Sequence, residues 1–380
     1  MILLKETEEE GIYFMEYLAT TRLYYYHRKS PWIEIPRAFS DLGKTSLIVC
    51  SSYDQNLKLN FDFAETKVHG DKISSVIKEI LVVFRLLRTS KPRIFLQVNV
   101  RSPIFLYAML DRIFNVIMMR KNRTFWVLKL DWDGNPDKGK TLQFTIRKLL
   151  ISLNSLFFDM IITESSCALN RLRNFPLMDF KKVEKLPNGY PDDLYRIADY
   201  NPQCREDIVL CVARFNPIKR QDLLVLAFAK LVPKFPSWKL LLVGHPENDK
   251  YLELIRNTMV KLGIENRVII STDVKEEQLV ENYLKAKIFC LPSDKEGFAN
   301  VRIEAISNGL PVITSEAGCG YDIDPSGKYV FKTGDISSLE NRLYDLMSSQ
   351  ENCIKLYMQE KQILLPYKQI AQILSSRILA

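Results

Sequence analysis

Residues 288–320, IFCLPSDKEGFANVRIEAISNGLPVITSEAGCG, decide how the chain is read. Ile288–Leu291 is a short apolar run of the kind a buried strand needs. A polar turn at 292–295 follows, then Glu296-Gly297-Phe298 and a helical stretch to about Ser307. Asn308-Gly309 supplies a helix stop, with Pro311 beyond it. Residues 310–314 (LPVIT) are a second β-rich run, so the unit is strand, loop, short helix, strand. A glycine ahead of a helix lets backbone approach a ligand closely. The helix N-terminus offers unpaired N–H groups and partial positive charge, an anion site. Glu296 precedes that helix and Glu304 lies about one turn in. At about 1.5 Å per helical residue, plus an extended step, the two are roughly 10 Å apart. That spacing suits a diphosphate flanked by two hydroxyl-rich sugars, because carboxylates accept from hydroxyls while amides and cations hold phosphates. The competing reading is an ordinary strand–helix unit with both glutamates on a solvated face.

Composition narrows the classes. At 380 residues two domains are expected. With 47% hydrophobic and 26% charged residues the chain is globular rather than disordered. No G-x-G-x-x-G follows a strand and no G-x-x-x-x-G-K-[ST] occurs, which argues against a Rossmann dehydrogenase or P-loop enzyme. The seven cysteines form no C-x-x-C and only three histidines exist, so no metal site is expected. Several cysteines lie in apolar runs, as small core residues do, and a reducing compartment is expected. The start, MILLKETEEE, is not a signal peptide, and no apolar run reaches the roughly 18 residues of a membrane span. A cytoplasmic location follows. The net charge of +8 is uneven: residues 81–150 hold fourteen Lys+Arg against four Asp, a net of +10, leaving about −2 elsewhere. Such a zone suits an anionic surface, a membrane's inner face included, whereas nothing points to nucleic acid.

In chain order, residues 1–20 read as a terminal extension and 23–27 as the first strand. A helix at 31–42, a strand at Ser46–Cys50, a charged helix at 71–89 and a strand at Arg93–Val98 follow. Next come an apolar helix at 103–119, the strand Phe125–Leu130, a helix at 141–156, and strands at 159–163 and 183–186. Polar residues 190–206 read as a linker. A second alternating series begins at Asp207 with IVLCVARF and runs through the unit at 288–320 to helices at 337–349 and 351–363. Alternation of this kind implies parallel, doubly wound sheets. The expected domains are 1–200, joined by 367–380, and 201–366. A ligand is expected at the carboxyl ends of the strands, in a cleft between the domains.

The stretch E-G-F-A-N-V-R-I-E, followed by A-I-S-N-G-L-P-V-I-T-S, resembles the E-x7-E signature of retaining glycosyltransferases of the GT-B fold, family 4. The resemblance extends over 183–340. Val212-Ala213-Arg214-Phe215 with Lys219 is similar to the loop whose Arg and Lys grip the donor diphosphate, and Leu242-Val243-Gly244 to the next strand end. Phe331-Lys332-Thr333-Gly334-Asp335 resembles a late turn, Asn188-Gly189 matches in the first half, and Tyr367-Lys368-Gln369-Ile370-Ala371 resembles a terminal helix that crosses back to the first domain.

The resemblance implies that Glu296 reaches the donor sugar and Glu304 the ribose. It implies that Arg214, Lys219, Gly244, Gly297, Phe298, Ala299, Asn300 and Val301 surround a nucleoside-diphosphate sugar, with no metal. Transfer to a glycan or lipid-linked acceptor, with retention of anomeric configuration, is the implied activity. Taken alone, Arg214 and Lys219 also read as a solvated basic pair. Asp131 and Asp133 at a strand end are catalytic candidates or a polar Asp-Gly turn. His27 and Arg28 are acceptor-side candidates, standing where many family members have a Gly-rich loop. Leu130-Asp131-Trp132-Asp133 stands where many have a histidine. His69 and His245 read as surface residues, and Ser271 and Thr272 as neighbours of the base. A GT-B-fold nucleotide-sugar epimerase and a catalytically silent nucleotide-binding partner remain alternatives.

Overall fold

The computed structural model describes residues 14–18, 31–42, 46–50, 64–68, 93–98, 105–117, 124–130, 141–190 and 199–379. The chain forms two compact units. The first comprises 1–164, 168–186 and 367–380, and the second 165–167 and 187–366.

In the first unit, β1 (Phe14–Leu18), α1 (Pro31–Asp41), β2 (Ser46–Cys50), β3 (Ala64–Val68), β4 (Arg93–Val98), α2 (Phe105–Ile117), β5 (Phe125–Leu130), α3 (Thr141–Phe157), β6 (Met160–Thr163) and β7 (Val183–Lys185) follow in order. The seven strands form a sheet of order β3-β2-β1-β4-β5-β6-β7, and every pairing is parallel. Trp126 lies buried edge-on to Phe158 in its core. The terminal-extension reading of 1–20 is corrected here: β1 lies in the middle of the sheet, between β2 and β4. β3 escaped the sequence reading because AETKV is polar, as suits a strand at the sheet's edge. The strand expected at 23–27 and the helix at 71–89 lie outside the described residues.

The second unit repeats the plan with β8 (Ile208–Val212), α4 (Gln221–Leu231), β9 (Lys239–Gly244), α5 (Asp249–Leu262), β10 (Val268–Thr272), α6 (Glu276–Lys285), β11 (Ile288–Leu291), α7 (Asn300–Ser307), β12 (Val312–Ser315), β13 (Val330–Phe331), α8 (Ile336–Ser348) and α9 (Gln350–Glu360). Its six-stranded sheet has the order β10-β9-β8-β11-β12-β13, again parallel throughout. Every residue of β8, β11 and β12 is buried, which explains the unbroken apolar runs of β8 and β11: strands covered on both faces carry no alternation. The helix ends follow local chemistry. Asn248, Asp335 and Ser349 cap α5, α8 and α9 by accepting from backbone N–H groups, and Gly263 closes α5 in the left-handed conformation. The C-terminal helix α10 (Tyr367–Leu379) belongs to the first unit and packs on α1.

Two expectations change here. The described end of the stretch read as a linker is anchored in the second unit: Tyr200 is buried, and Arg205 donates to the carbonyls of Tyr283, Ala286 and Asn308. Cys167 and Cys319 are joined in a disulfide, which the expected reducing compartment did not anticipate. Cys211 and Cys290, which lie in apolar runs, are buried thiols as expected, and Cys353 is buried as well.

Candidate active site

The second sheet changes direction between β8 and β11. Strands β9 and β10 extend it on one side, β12 and β13 on the other. Loops leaving such a switch point diverge and open a crevice at the carboxyl ends of the strands. The candidate donor residues cluster there.

Beyond β8 the chain stays joined to the end of β9, with Ala213 N donating to Val243 O at 3.0 Å and Phe215 N to His245 O at 2.9 Å. That approach requires Gly244, because a Cβ there would lie 1.9 Å from Ala213 O. The Asn216 side chain starts a short helical turn at Pro217–Lys219 by accepting from Ile218 N at 3.0 Å. Arg220 ends the turn at φ 52° and bonds to both Asp222 and Asp294. Asp294 N donates to Ile218 O at 2.8 Å, which fastens the loop after β8 to the loop after β11.

This fastening sets Lys219 against Glu296. Lys219 Nζ lies 2.7 and 2.9 Å from the two carboxylate oxygens, and the side chains are 17% and 9% exposed. Ser293 Oγ donates to Glu296 Oε1 at 2.5 Å, and Ser293 O accepts from Ser315 Oγ at 2.6 Å. Arg214 is more open: 61% exposed, its guanidinium bonds to Glu247 at 2.7 Å. Asn216 donates to the other Glu247 oxygen at 3.1 Å.

Helix α7 starts after Ala299, held at φ 61°, with no side-chain cap hydrogen bond. Its first amides therefore point partial positive charge at the loop carrying Glu296. Asn300, Val301 and Glu304 are the partly open positions of the helix, whereas Arg302, Ile303, Ala305, Ile306 and Ser307 are buried. Positions three and four apart share one helical face, so the open face is the one bearing Glu304. Asn300 Oδ1 accepts from Asn188 Nδ2 at 2.7 Å, and Glu304 Oε2 accepts from the Tyr283 hydroxyl at 3.0 Å. Behind the loop, fully buried Arg302 donates from Nη2 to Phe298 O at 2.6 Å and Gly318 O at 3.0 Å. Burial pulls this guanidinium down to about 10, while the charges of Glu296 and Asp322 oppose the fall. Gly318, at φ +60°, admits the arginine, since a Cβ there would lie 2.5 Å from Glu296 Cβ and 2.7 Å from Arg302 Nη2.

Lys219, Glu296, Gly297, Ala299, Asn300, Val301 and Glu304 thus lie on the two loops and the helix at this switch point. Phe298 contributes differently from its neighbours, because its ring is buried in the core. Gly244 is accounted for by backbone packing. His245 is exposed and bonds to Asp273, and Ser271 and Thr272 end β10. Asp131, Asp133, His27, Arg28 and His69 lie outside the described residues. Sequence reasoning missed Ser293, Glu247, Tyr283 and Arg302. Ser293 alone carried a signal, three residues before Glu296 in the same loop. Among the described residues no three His, Cys, Asp or Glu side chains converge as a metal site requires.

Residues 197–362 match the family model of glycosyl transferases group 1. The chain is 27% identical over 183 residues to a GDP-mannose-dependent alpha-(1-6)-phosphatidylinositol monomannoside mannosyltransferase of Mycolicibacterium smegmatis, covering 44% of this chain and 47% of that protein. It is 31% identical over 156 residues to the N-acetyl-alpha-D-glucosaminyl L-malate synthase of Bacillus anthracis, covering 40% and 39%. The matched stretch thus spans less than half of either relative. Among solved structures, Anabaena HepE in complex with UDP and glucose aligns over 96% of this chain and 99% of its own, with a TM-score of 0.71 and 16% identity. The fold is the GT-B architecture, built of two Rossmann-like doubly wound units.

Proposed function

We propose that this chain is a retaining glycosyltransferase that moves a hexose from a nucleoside-diphosphate sugar to a glycan or lipid-linked acceptor. The observation that carries the reading is the Lys219–Glu296 pair at the carboxyl ends of β8 and β11, beside the uncapped start of α7. A cation and free amides at one point serve a diphosphate, and carboxylates on either side serve sugar hydroxyls. As the glycosidic bond breaks, negative charge grows on the leaving diphosphate. Lys219 and the Asn300 and Val301 amides stabilise that charge where it develops. Arg214 leaves Glu247 to add a second cation. Glu296 orients the sugar, and the departing phosphate takes the acceptor proton, so the chemistry asks for no metal. The names of the relatives support a UDP- or GDP-hexose as donor.

A lipid-linked acceptor accords with the surface of the first unit. Ile113, Val116 and Ile117 on α2 and Ile146, Leu149 and Leu156 on α3 are exposed, on two helices that pack together, the first inside the basic stretch 81–150 and the second starting in it. No described helix is long and apolar enough to cross a membrane. Apolar side chains with lysine and arginine beside them bind anionic lipid at the cytoplasmic face. Val116→Glu with Ile117→Glu abolishes sedimentation with anionic vesicles; wild-type protein left in the supernatant at low salt refutes the membrane arm.

The experiment for the activity is incubation with a panel of UDP- and GDP-hexoses in EDTA, with nucleotide release and product mass measured. One donor turns over, and the new linkage keeps the donor's anomeric configuration by NMR. Turnover of none, or an inverted product, overturns the reading.

A further inference from the structure

Burying a cation without a bonded anion is unfavourable, so a protein that keeps one in its interior has a use for the charge. Arg302, the third residue of α7, is fully buried. Its guanidinium bonds to neutral acceptors: Nη2 to Phe298 O at 2.6 Å and Gly318 O at 3.0 Å, and Nη1 to Thr314 Oγ1 at 3.3 Å. Its Nε has no hydrogen-bond partner among the described residues. The charge is therefore not taken up by a bonded carboxylate. It stands instead behind the carboxylate of the donor loop. A Cβ at Gly318 would lie 2.5 Å from Glu296 Cβ and 2.7 Å from Arg302 Nη2, so one point touches both side chains. Burial lowers the guanidinium's pKa, and of the two carboxylates that oppose the fall, Glu296 acts more strongly than Asp322.

Two properties of the loop depend on this side chain. The bond to Phe298 O fixes the peptide that leads into Ala299, whose φ of 61° starts α7 and aims its first amides. The other property is electrostatic. Glu296 is paired with Lys219 and accepts from Ser293. A diphosphate that draws Lys219 away leaves Glu296 with a neutral hydroxyl and with the Arg302 charge behind it.

We propose that Arg302 is a positioning residue of the donor site: fixed beneath the loop 296–299, its charge balances Glu296 and so lets Lys219 turn to the diphosphate. The inference rests on the glycosyltransferase reading of this site. Arg302 is fully buried and acts through Glu296, as an outer partner acts through a ligating group. Without it Glu296 would hold Lys219 more firmly, and the diphosphate would compete less well for the ammonium. Attraction between charges is several-fold stronger in such a partly dry site than in water.

The test uses the full chain and calorimetric titration with UDP, GDP and the corresponding nucleosides. Arg302→Met removes the charge at similar length. It weakens the nucleoside diphosphate that the wild type binds by roughly 10-fold, and the nucleoside by about twofold at most. Arg302→Lys keeps the charge and restores most of the affinity. In the Glu296→Gln background, Arg302→Met moves the diphosphate by about twofold at most, because no carboxylate is left to hold Lys219. A merely structural role would not depend on the charge at position 296: it would lower the melting temperature and weaken the diphosphate equally in both backgrounds. That equal loss overturns the proposal, as does an Arg302→Met protein that binds the diphosphate like wild type. If Arg302→Met does not fold, Arg302→Lys decides: affinity within about threefold of wild type supports the proposal, and a larger loss or a misfolded protein overturns it. If the wild type binds neither UDP nor GDP, the reading of the crevice as a donor site falls, and this proposal with it.

Discussion

The cation proposed for the diphosphate is held by the carboxylate proposed for the sugar. Lys219 has three N–H donors, and the two Glu296 oxygens occupy its ammonium at 2.7 and 2.9 Å. The pair is 17% and 9% exposed, so water screens it less than a surface pair. A diphosphate arriving without its sugar must share that ammonium and also lie near an uncompensated carboxylate. Hydrogen bonds to charged groups contribute about 1.5–3 kcal/mol, and part of one such bond is surrendered on binding. Glu296→Gln keeps the shape and the contact with Ser293 but removes the competing charge. The free nucleoside diphosphate should then bind about 1–2 kcal/mol more tightly, roughly 5- to 30-fold in Kd. Turnover of the nucleotide sugar should fall in the same variant, because the sugar has lost its orienting carboxylate. The assay is calorimetry with the nucleoside diphosphate, beside steady-state kinetics with the intact donor. A cycle with Lys219→Met locates the effect: in the Lys219→Met background, Glu296→Gln should bring no gain. Equal or weaker binding of the diphosphate to Glu296→Gln would refute the reasoning, because Lys219 would then not be the cation that the phosphate and the carboxylate compete for.

Other consequences are as concrete. Glu304→Ala should weaken the nucleoside itself by about 1.5–3 kcal/mol, roughly 10- to 150-fold, with the fold intact by circular dichroism; an unchanged nucleoside affinity would contradict the ribose assignment. Gly244→Ala should lower the unfolding temperature by several degrees, since the new Cβ would meet the backbone atoms Ala213 O at 1.9 Å and Ala213 C at 2.7 Å; a melting curve that superimposes on wild type would be inconsistent with that packing. Glu360 is fully buried, accepts from Val312 N, and has its carboxyl pushed well above the ordinary glutamate value by burial. The unfolded chain therefore releases this proton first, at about 4.5, and stability falls as pH rises from there toward the raised folded value. Urea unfolding at several pH values should show Glu360→Gln gaining on wild type as pH rises through that window; a pH-independent difference would mean that Glu360 is ionised in the folded protein.

The second unit was legible because its chemistry is local. Strands buried on both faces leave continuous apolar runs, as at 208–212 (IVLCV) and 288–291 (IFCL). Glycine, proline and asparagine punctuate the turns between them. The donor loop was legible for the same reason: Glu296, the glycine after it and Glu304 are close in sequence. What the sequence did not disclose depends on contacts distant along the chain. Phe14–Leu18 is too short to establish a period, and it becomes a central strand only through partners at 46–50 and 93–98. Cys167 and Cys319 lie 152 residues apart, and no local pattern links them. Lys219 and Glu296 were each singled out, yet their pairing across 77 residues follows from the Asp294–Ile218 backbone bond that joins their loops. Tyr283 reads as one more apolar residue of an amphipathic helix until the fold sets its hydroxyl beside Glu304.

The measurement that bears most directly on the central claim is a crystal structure of the protein with the nucleoside diphosphate of the donor it turns over. The account predicts diphosphate oxygens within hydrogen-bond distance of Lys219 Nζ and of the Asn300 and Val301 amides, and ribose hydroxyls on Glu304. A nucleotide bound away from the carboxyl ends of β8 and β11, or bound there with Lys219 still paired to Glu296 and no contact to the phosphates, would contradict it.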